Sequence, residues 1–245
     1  MLLILTGAIQ PATTEMLVIT DVQERRQQYI DSIRFFIESK AFDRIIFCEN
    51  SNYGINDFQE LIELAKTMDM ELEVLSFQGN ARETEIHGKG YGEGEIMKYV
   101  FDHSLLIRGE SYFMKITGRL KIDNIKSIVA HMYTDRFYFN VPNRTHREMY
   151  DTRIYGMPAQ IFKTKFIDIY NEVNDREGRY LENIYTSVIT ANKIKIRNFP
   201  RFPRIIGVSG STGAEYRYSE WKCKIKDILS LFGYYKVINK GKIRE

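Results

Sequence analysis

The feature that most restricts how this chain can fold is a recurring alternation of strand-length apolar runs with stretches of helical period. It opens with a strand over 2–9 and a helix over 22–39, in which Tyr29, Ile30, Ile33, Phe36 and Ile37 share one face. The unit repeats as strand 44–49, helix 57–68, strand 72–77 and helix 93–103. Strand 112–117, helix 123–132, strand 136–141 and a strand near 152–156 follow, then helices over 158–173 and 180–192. Pro158 suits a first helical turn, where its missing N–H would be unpaired in any case. Strands spaced by helices predict parallel βαβ units. The expected class is therefore α/β, a single Rossmann-like domain with a mostly parallel sheet and helices on both faces. Ligands then belong at the carboxyl ends of the strands, near a topological switch point.

The 245 residues, 44% hydrophobic and 13% aromatic, supply one sizeable core and are few for two. Segment 194–213 is broken by Pro200, Pro203, Gly207, Gly210 and Gly213 and reads as a strand running into a loop. An amphipathic helix over 217–232 follows it. These shifts place a main domain at 1–216 and a basic C-terminal helix and tail at 217–245, packed on it. The two cysteines, Cys48 inside an apolar run and Cys223, imply no disulfide framework and fit a reducing, cytoplasmic compartment. The opening Met-Leu-Leu-Ile-Leu run lacks a basic flank and breaks at Thr6-Gly7, as a buried first strand does and a membrane span does not.

A net charge of +3 conceals an asymmetry. Residues 193–245 hold 13 Lys and Arg against 4 Asp and Glu, which leaves residues 1–192 at a net of −6. So basic an end can neutralise phosphates on a small ligand, a nucleic acid or an anionic membrane surface.

Four segments carry chemistry. Lys89-Gly90-Tyr91-Gly92-Glu93-Gly94-Glu95 reads as a glycine-rich turn ahead of a helix, where backbone can approach a ligand and the helix N-terminus favours an anion. It matches neither dinucleotide nor P-loop fingerprints, and Glu93 or Glu95 would repel phosphate but accept sugar hydroxyls. Lys115-Ile116-Thr117-Gly118-Arg119 ends a strand with a cation, a hydroxyl and a second cation. Gly207-Val208-Ser209-Gly210-Ser211-Thr212-Gly213, flanked by Arg201, Arg204 and Arg217, can hold a diphosphate through amides, hydroxyls and guanidiniums. Glu182 sits early in a helix whose apolar stripe is Leu181, Ile184, Tyr185 and Val188. It is a general-base candidate, although the helix dipole also favours Glu there. There is no Asp-x-Asp, His-x-x-x-His or Cys-x-x-Cys, and His87, His103, His131 and His146 are far apart, so no metal or other cofactor is expected.

Taken in order, Leu5-Thr6-Gly7-Ala8-Ile9, Phe47-Cys48-Glu49-Asn50-Ser51, Lys89-Gly90-Tyr91-Gly92-Glu93, Lys115-Ile116-Thr117-Gly118-Arg119 and the Gly207–Gly213 segment resemble bacterial glycosyltransferases of capsule and O-antigen biosynthesis with a GT-A-like fold. The resemblance runs from the first strand to about residue 216. It places the nucleotide donor on Thr6, Gly7 and Ala8, with Glu49 and Asn50 at the end of the next strand. The Lys115–Arg119 segment stands where such enzymes usually carry a metal-binding Asp-x-Asp, which implies a metal-independent variant with protein cations at the leaving diphosphate. The base of inverting members matches Glu182 loosely, with Asp135 and Asp151 as substitutes.

The expected activity is sugar transfer from a nucleoside-diphosphate donor to a lipid-linked glycan at the inner face of the membrane. Glu182 would act as base, with Arg204, Arg217, Ser209, Gly210, Ser211 and Thr212 at the diphosphate. A sugar nucleotidyltransferase is one rival, weakened because Thr6-Gly-Ala-Ile-Gln-Pro lacks a glycine-rich basic loop. A nucleic-acid-binding module using the basic end, with Tyr216, Tyr218, Trp221, Tyr234 and Tyr235 as stacking groups, is the other. The acidic N-terminal part and the lack of a nucleic-acid motif oppose it, so no nucleic-acid partner is expected. The sequence leaves the oligomeric state open.

Overall fold

Every side chain of the first strand, β1 (Leu2–Gly7), is buried, as befits a strand covered on both faces. The period of two explains how. Leu3 and Leu5 point into one apolar cluster with Tyr29, Ile33 and Phe36, while Leu2 and Ile4 point into a second with Ile46, Met97 and Tyr185. This computed structural model describes residues 1–11, 18–140, 149–209 and 213–231. His146, Gly210, Ser211, Thr212, Phe232, Tyr234 and Tyr235 lie outside the described residues.

Seven strands form the main sheet, in the order β3 (Glu71–Ser76), β2 (Arg44–Glu49), β1, β4 (Tyr112–Thr117), β7 (Asp151–Pro158), β6 (Phe137–Asn140) and β8 (Ile196–Arg197). The first four are mutually parallel, and β7 runs antiparallel to both its neighbours. The chain thus steps outward from β1 through β2 to β3 and then returns to β4 on the other side of β1. That reversal makes the carboxyl ends of β1 and β4 a topological switch point.

One face of the sheet is covered by α1 (Val22–Ser39), α2 (Gln59–Thr67) and α5 (Ile125–Val129). The other is covered by α4 (Lys89–His103), α6 (Ala159–Lys165) and α7 (Leu181–Ala191). The α/β, Rossmann-like class read from the sequence is the observed one. A short helix, α3 (Ala81–His87), precedes α4, and a small sheet joins β5 (Lys121–Ile122), β9 (Ile205–Val208) and β10 (Glu215–Tyr216). Asp21 caps α1 by accepting from the Glu24 N–H at 2.7 Å, and Lys40 ends it in the left-handed region at φ 49°.

Several elements differ from the sequence reading: the helix expected over 123–132 is confined to α5, α3 was not anticipated, and two further differences are larger. The glycine-rich segment is not a turn: α4 already begins at Lys89, directly after Gly88, whose φ of +95° separates it from α3. The glycines inside α4 serve close packing. A Cβ on Gly94 would fall 2.0 Å from Cβ of Tyr170, which belongs to a 3-10 turn over Ile169–Glu172. That same turn is what remains of the second half of the helix predicted over 158–173, since α6 ends at Lys165.

The C-terminal helix α8 (Glu220–Leu231), read as amphipathic and packed on the domain, docks through Cys223 and Asp227 and not through Trp221, Ile225 and Ile228. Cys223 is buried and Asp227 Oδ1 accepts from the Phe202 N–H at 2.8 Å, whereas Trp221, Ile225 and Ile228 are exposed.

Candidate active site

A cleft of about 430 Å³ opens at the β1 and β4 carboxyl ends. Thr6, Gly7 and Ala8 form its floor with Thr117 and Arg119. Asn50, Lys89, Gly90, Gly92, Glu93, Thr152, Glu182 and Ser209 line it as well. Segments from seven distant stretches of chain therefore meet where the fold directs a ligand.

Thr152, on β7, links two acid–base groups. Its hydroxyl donates to Oε1 of Glu182 at 2.8 Å, and its carbonyl accepts from the Lys115 ammonium at 2.9 Å. Burial pushes the Glu182 carboxyl above its ordinary pKa, only partly countered by the Thr152 hydrogen bond. Lys115 is fully buried on β4 and does not reach the cleft itself. It forms an ion pair with Glu93, which does, and its ammonium stands 3.3 Å from Thr117 Oγ1 and 5.7 Å from the Tyr155 ring centroid. A charge that deep persists only because each of its donors meets an acceptor.

The cations of the cleft are differently committed. Arg25, nearly inaccessible on α1, donates to the carbonyls of Ala8 (3.0 Å), Ile9 (3.2 Å) and Ile19 (3.1 Å). It holds the backbone leaving β1, and burial lowers its pKa. Arg119 donates to Gln28 Oε1 at 3.0 Å and lies 6.0 Å from the Tyr29 ring centroid, while its Nε has no partner. Arg153 is gripped in a fork by Asp151, at 2.8 Å from Nε and 2.6 Å from Nη2, and stacks 5.0 Å over Tyr216. Burial opposes that charge, but the Asp151 carboxylate outweighs it and raises the pKa.

The start of α4, expected to attract a ligand anion, already has one. Asp175 sits against it, accepting from the Gly90 N–H at 3.3 Å, and burial raises its pKa. Glu95 likewise turns away from the cleft to accept from the Asn80 N–H at 2.9 Å.

Other residues singled out in the sequence stand outside the cleft wall. Glu49 is fully buried and receives the Tyr53 N–H at 2.9 Å and the Ser51 N–H at 2.8 Å, so its carboxylate shapes the β2 loop. Gly118 packs under the floor, where a Cβ would lie 2.6 Å from the Thr6 carbonyl oxygen. Asp135 is solvent-exposed beside Arg136 and does not meet the cleft. Asp151 is consumed by Arg153 and by Asn140 (3.0 Å). Arg204 is turned to Glu220 (3.4 Å) and Asp227 (3.5 Å), and Arg217 to Glu215 (2.6 Å) at the surface. Neither guanidinium lines the cleft. Among the described residues, no three His, Cys, Asp or Glu side chains converge as a ligand set for a metal.

Sequence reasoning missed Arg25, Arg153, Asp175, Arg176 and Tyr180, all in the cleft wall, and named Tyr216, also there, only as a stacking group of the nucleic-acid alternative. Two carried a readable signal. Arg25 extends the apolar stripe of α1 one turn before Tyr29, and Asp151 and Arg153 share a strand face at i, i+2.

No protein-family model matches the chain, and no curated protein matches it in sequence. Among solved structures it is similar to a nucleoside-diphosphate-sugar pyrophosphorylase from Vibrio cholerae RC9 (11% identity, 81% of this chain and 91% of that one, TM-score 0.48). It is also similar to HddC from Yersinia pseudotuberculosis (12% identity, 98% of each chain, TM-score 0.41). Likeness at this level leaves the chemistry to be argued from the cleft.

Proposed function

We propose that this cleft transfers a sugar from a nucleoside-diphosphate-sugar donor to a hydroxyl of a glycan acceptor, as in the assembly of capsule or O-antigen polysaccharide. The observation that carries the reading is the placement of a desolvated carboxyl, Glu182, in one cleft with the guanidiniums of Arg119 and Arg153. Glu182 takes the proton of the acceptor hydroxyl as its oxygen bonds to the anomeric carbon. The bond from that carbon to the diphosphate breaks, and the diphosphate leaves against Arg119 and Arg153. Lys89 and Arg176 add positive charge to the same wall. Arg204, Arg217 and the described ends of the Ser/Gly segment have no such part in this scheme, apart from Ser209.

The cations are well placed to do what a divalent ion does in related chemistry, so turnover is expected to persist in chelator. Rescue of a chelated enzyme by manganese or magnesium would overturn that part. The test of the whole is a thermal-shift screen against nucleotides and nucleotide sugars, followed by product analysis with the stabilising donor. Release of nucleoside diphosphate on adding acceptor is expected. Pyrophosphate release from a nucleoside triphosphate and a sugar phosphate would make the protein a nucleotidyltransferase instead. Stabilisation by no nucleotide at all would end the proposal.

A further inference from the structure

The helix α8 is amphipathic in an unusual sense, because the face it turns to solvent is apolar. Trp221, Ile225 and Ile228, spaced i, i+4 and i+7, form one stripe and are 63%, 47% and 52% exposed. The opposite side does the docking. Cys223 is buried, Asp227 holds the Phe202 N–H and Arg204, and Lys226 lies 3.8 Å over the Phe202 ring. The stripe is therefore displayed by a helix whose orientation is fixed from behind.

What borders the stripe decides what covers it. Lys224 flanks it on one side and Lys222 on the other, with the Lys222 ammonium 5.4 Å from the Trp221 ring. Within the described part of α8, Glu220 and Asp227 are the acidic residues, and both face Arg204. The chain beyond, to residue 245, adds Lys236, Lys240, Lys242 and Arg244 against Glu245. Apolar residues centred between lysines suit a surface that is apolar beneath and negative at its rim, which is the interface of a bilayer containing anionic lipid. No helix among the described residues is long and apolar enough to cross a membrane, so the contact is peripheral.

We infer that α8 is a membrane-docking element, inserting Trp221, Ile225 and Ile228 at the headgroup boundary of an anionic bilayer while Lys222 and Lys224 meet lipid phosphates. The inference stands independently of the reaction assigned to the cleft. If both hold, the geometry has a use: β10, whose Tyr216 lines the cleft, leads directly into α8, so docking brings the cleft mouth to the surface that carries lipid-linked acceptors.

Trp221 is the sole tryptophan of the chain, so its fluorescence reports this face alone. The full-length protein is titrated with phosphatidylcholine vesicles with and without phosphatidylglycerol. Blue-shifted emission and co-sedimentation are expected with the anionic vesicles, weakening as salt is raised. Ile225→Glu/Ile228→Glu should lower vesicle affinity about tenfold or more with an unchanged melting temperature. Absence of a blue shift with anionic vesicles would overturn the inference. So would equal binding by the double variant, equal binding to neutral vesicles, or a lipid-free blue shift on concentrating the protein, which would assign the face to self-association.

Discussion

Lys115 and Glu93 form an ion pair of unequal depth: the ammonium is wholly buried beneath the cleft, while the carboxylate, 26% exposed, reaches its wall. The buried partner fixes where the accessible one stands. Lys115→Met removes the cation, strands Glu93 and frees the Thr152 carbonyl, so a loss of about 3 kcal/mol is expected, at the low end for broken buried pairs because Glu93 can turn to water. Lys115→Met/Glu93→Gln should recover much of it. Urea denaturation of the wild type, Lys115→Met, Glu93→Gln and the double variant measures the coupling, and a Lys115→Met protein within about 1 kcal/mol of wild type would show that the pair is not structural.

The glycines of α4 make a contrasting pair. Alanine normally stabilises a helix interior by about 1 kcal/mol over glycine. At Gly94 the new Cβ would meet Tyr170 Cβ at 2.0 Å, a backbone-anchored atom that cannot swing away, so a net loss of about 1–3 kcal/mol is expected. At Gly90 the neighbours stand further off, a Val173 methyl at 3.1 Å and Leu181 Cβ at 3.2 Å, so the loss should be clearly smaller than at Gly94. Equal effects at both positions would contradict the packing account.

The arginines divide by whether they line the cleft, as Arg119 and Arg153 do and Arg217 does not. Arg119→Ala and Arg153→Ala should each weaken donor binding by about 1.5–3 kcal/mol, the range for hydrogen bonds to charged groups. Arg217→Ala, whose guanidinium is 80% exposed and paired with Glu215, should leave it unchanged. Calorimetric titration with the stabilising nucleotide distinguishes them, and an Arg217 effect equal to that at Arg119 would move the anion seat toward β10.

How far the sequence could be read follows from how each part is built. The boundaries of α1, β2 and β4 coincide with those expected, because one repeating pattern governs each and both sheet faces bury it. The α4 segment was misleading because glycine is a weak helix former whose propensity was overridden by close packing against Tyr170 and Leu181. In the cleft, Thr117 and Arg119 were legible from their place at the carboxyl end of β4, whereas Thr6, Gly7 and Ala8 were placed by the family resemblance. Arg204 and Arg217 were expected at a phosphate by charge, but acidic neighbours on α8 and β10 satisfy them first. Asp175 and Tyr180 reach the site from a 3-10 turn and a helix cap that no short-range pattern connects to β1.

Burial of Glu182 and Asp175 makes stability depend on pH in a defined direction. Both carboxyls have folded-state pKa values above their ordinary ones. The folded chain therefore holds more protons than the unfolded one across that window, and the contribution of these groups falls as pH rises from the ordinary carboxylate range upward. Glu182→Gln should flatten this slope. Chemical denaturation at several pH values measures it, and a slope unchanged in the variant would mean that Glu182 titrates normally.

Glu182 is also where the proposed chemistry is most exposed to test. Its carboxyl is held by the Thr152 hydroxyl at 2.8 Å, so Glu182→Gln keeps the size and an acceptor for that bond while removing the basicity. Turnover should fall about 10²–10⁴-fold, the usual share of general-base catalysis, with donor binding nearly unchanged because the base acts on the acceptor. The elevated pKa adds a signature: the acid limb of the wild-type rate profile should lie above the ordinary glutamate range, since the base works only when ionised. Thr152→Val, which withdraws a hydrogen bond that favours the ionised form, should move that limb further upward without abolishing turnover. A helix-terminal role would give a different result, a stability loss of roughly 0.3–1 kcal/mol with near-normal rates. If Glu182→Gln turns over like the wild type, the base is not Glu182. Asp151, tied to Arg153, and Asp135, outside the cleft, are poorly placed to replace it, and Glu93 would be the carboxylate to test next.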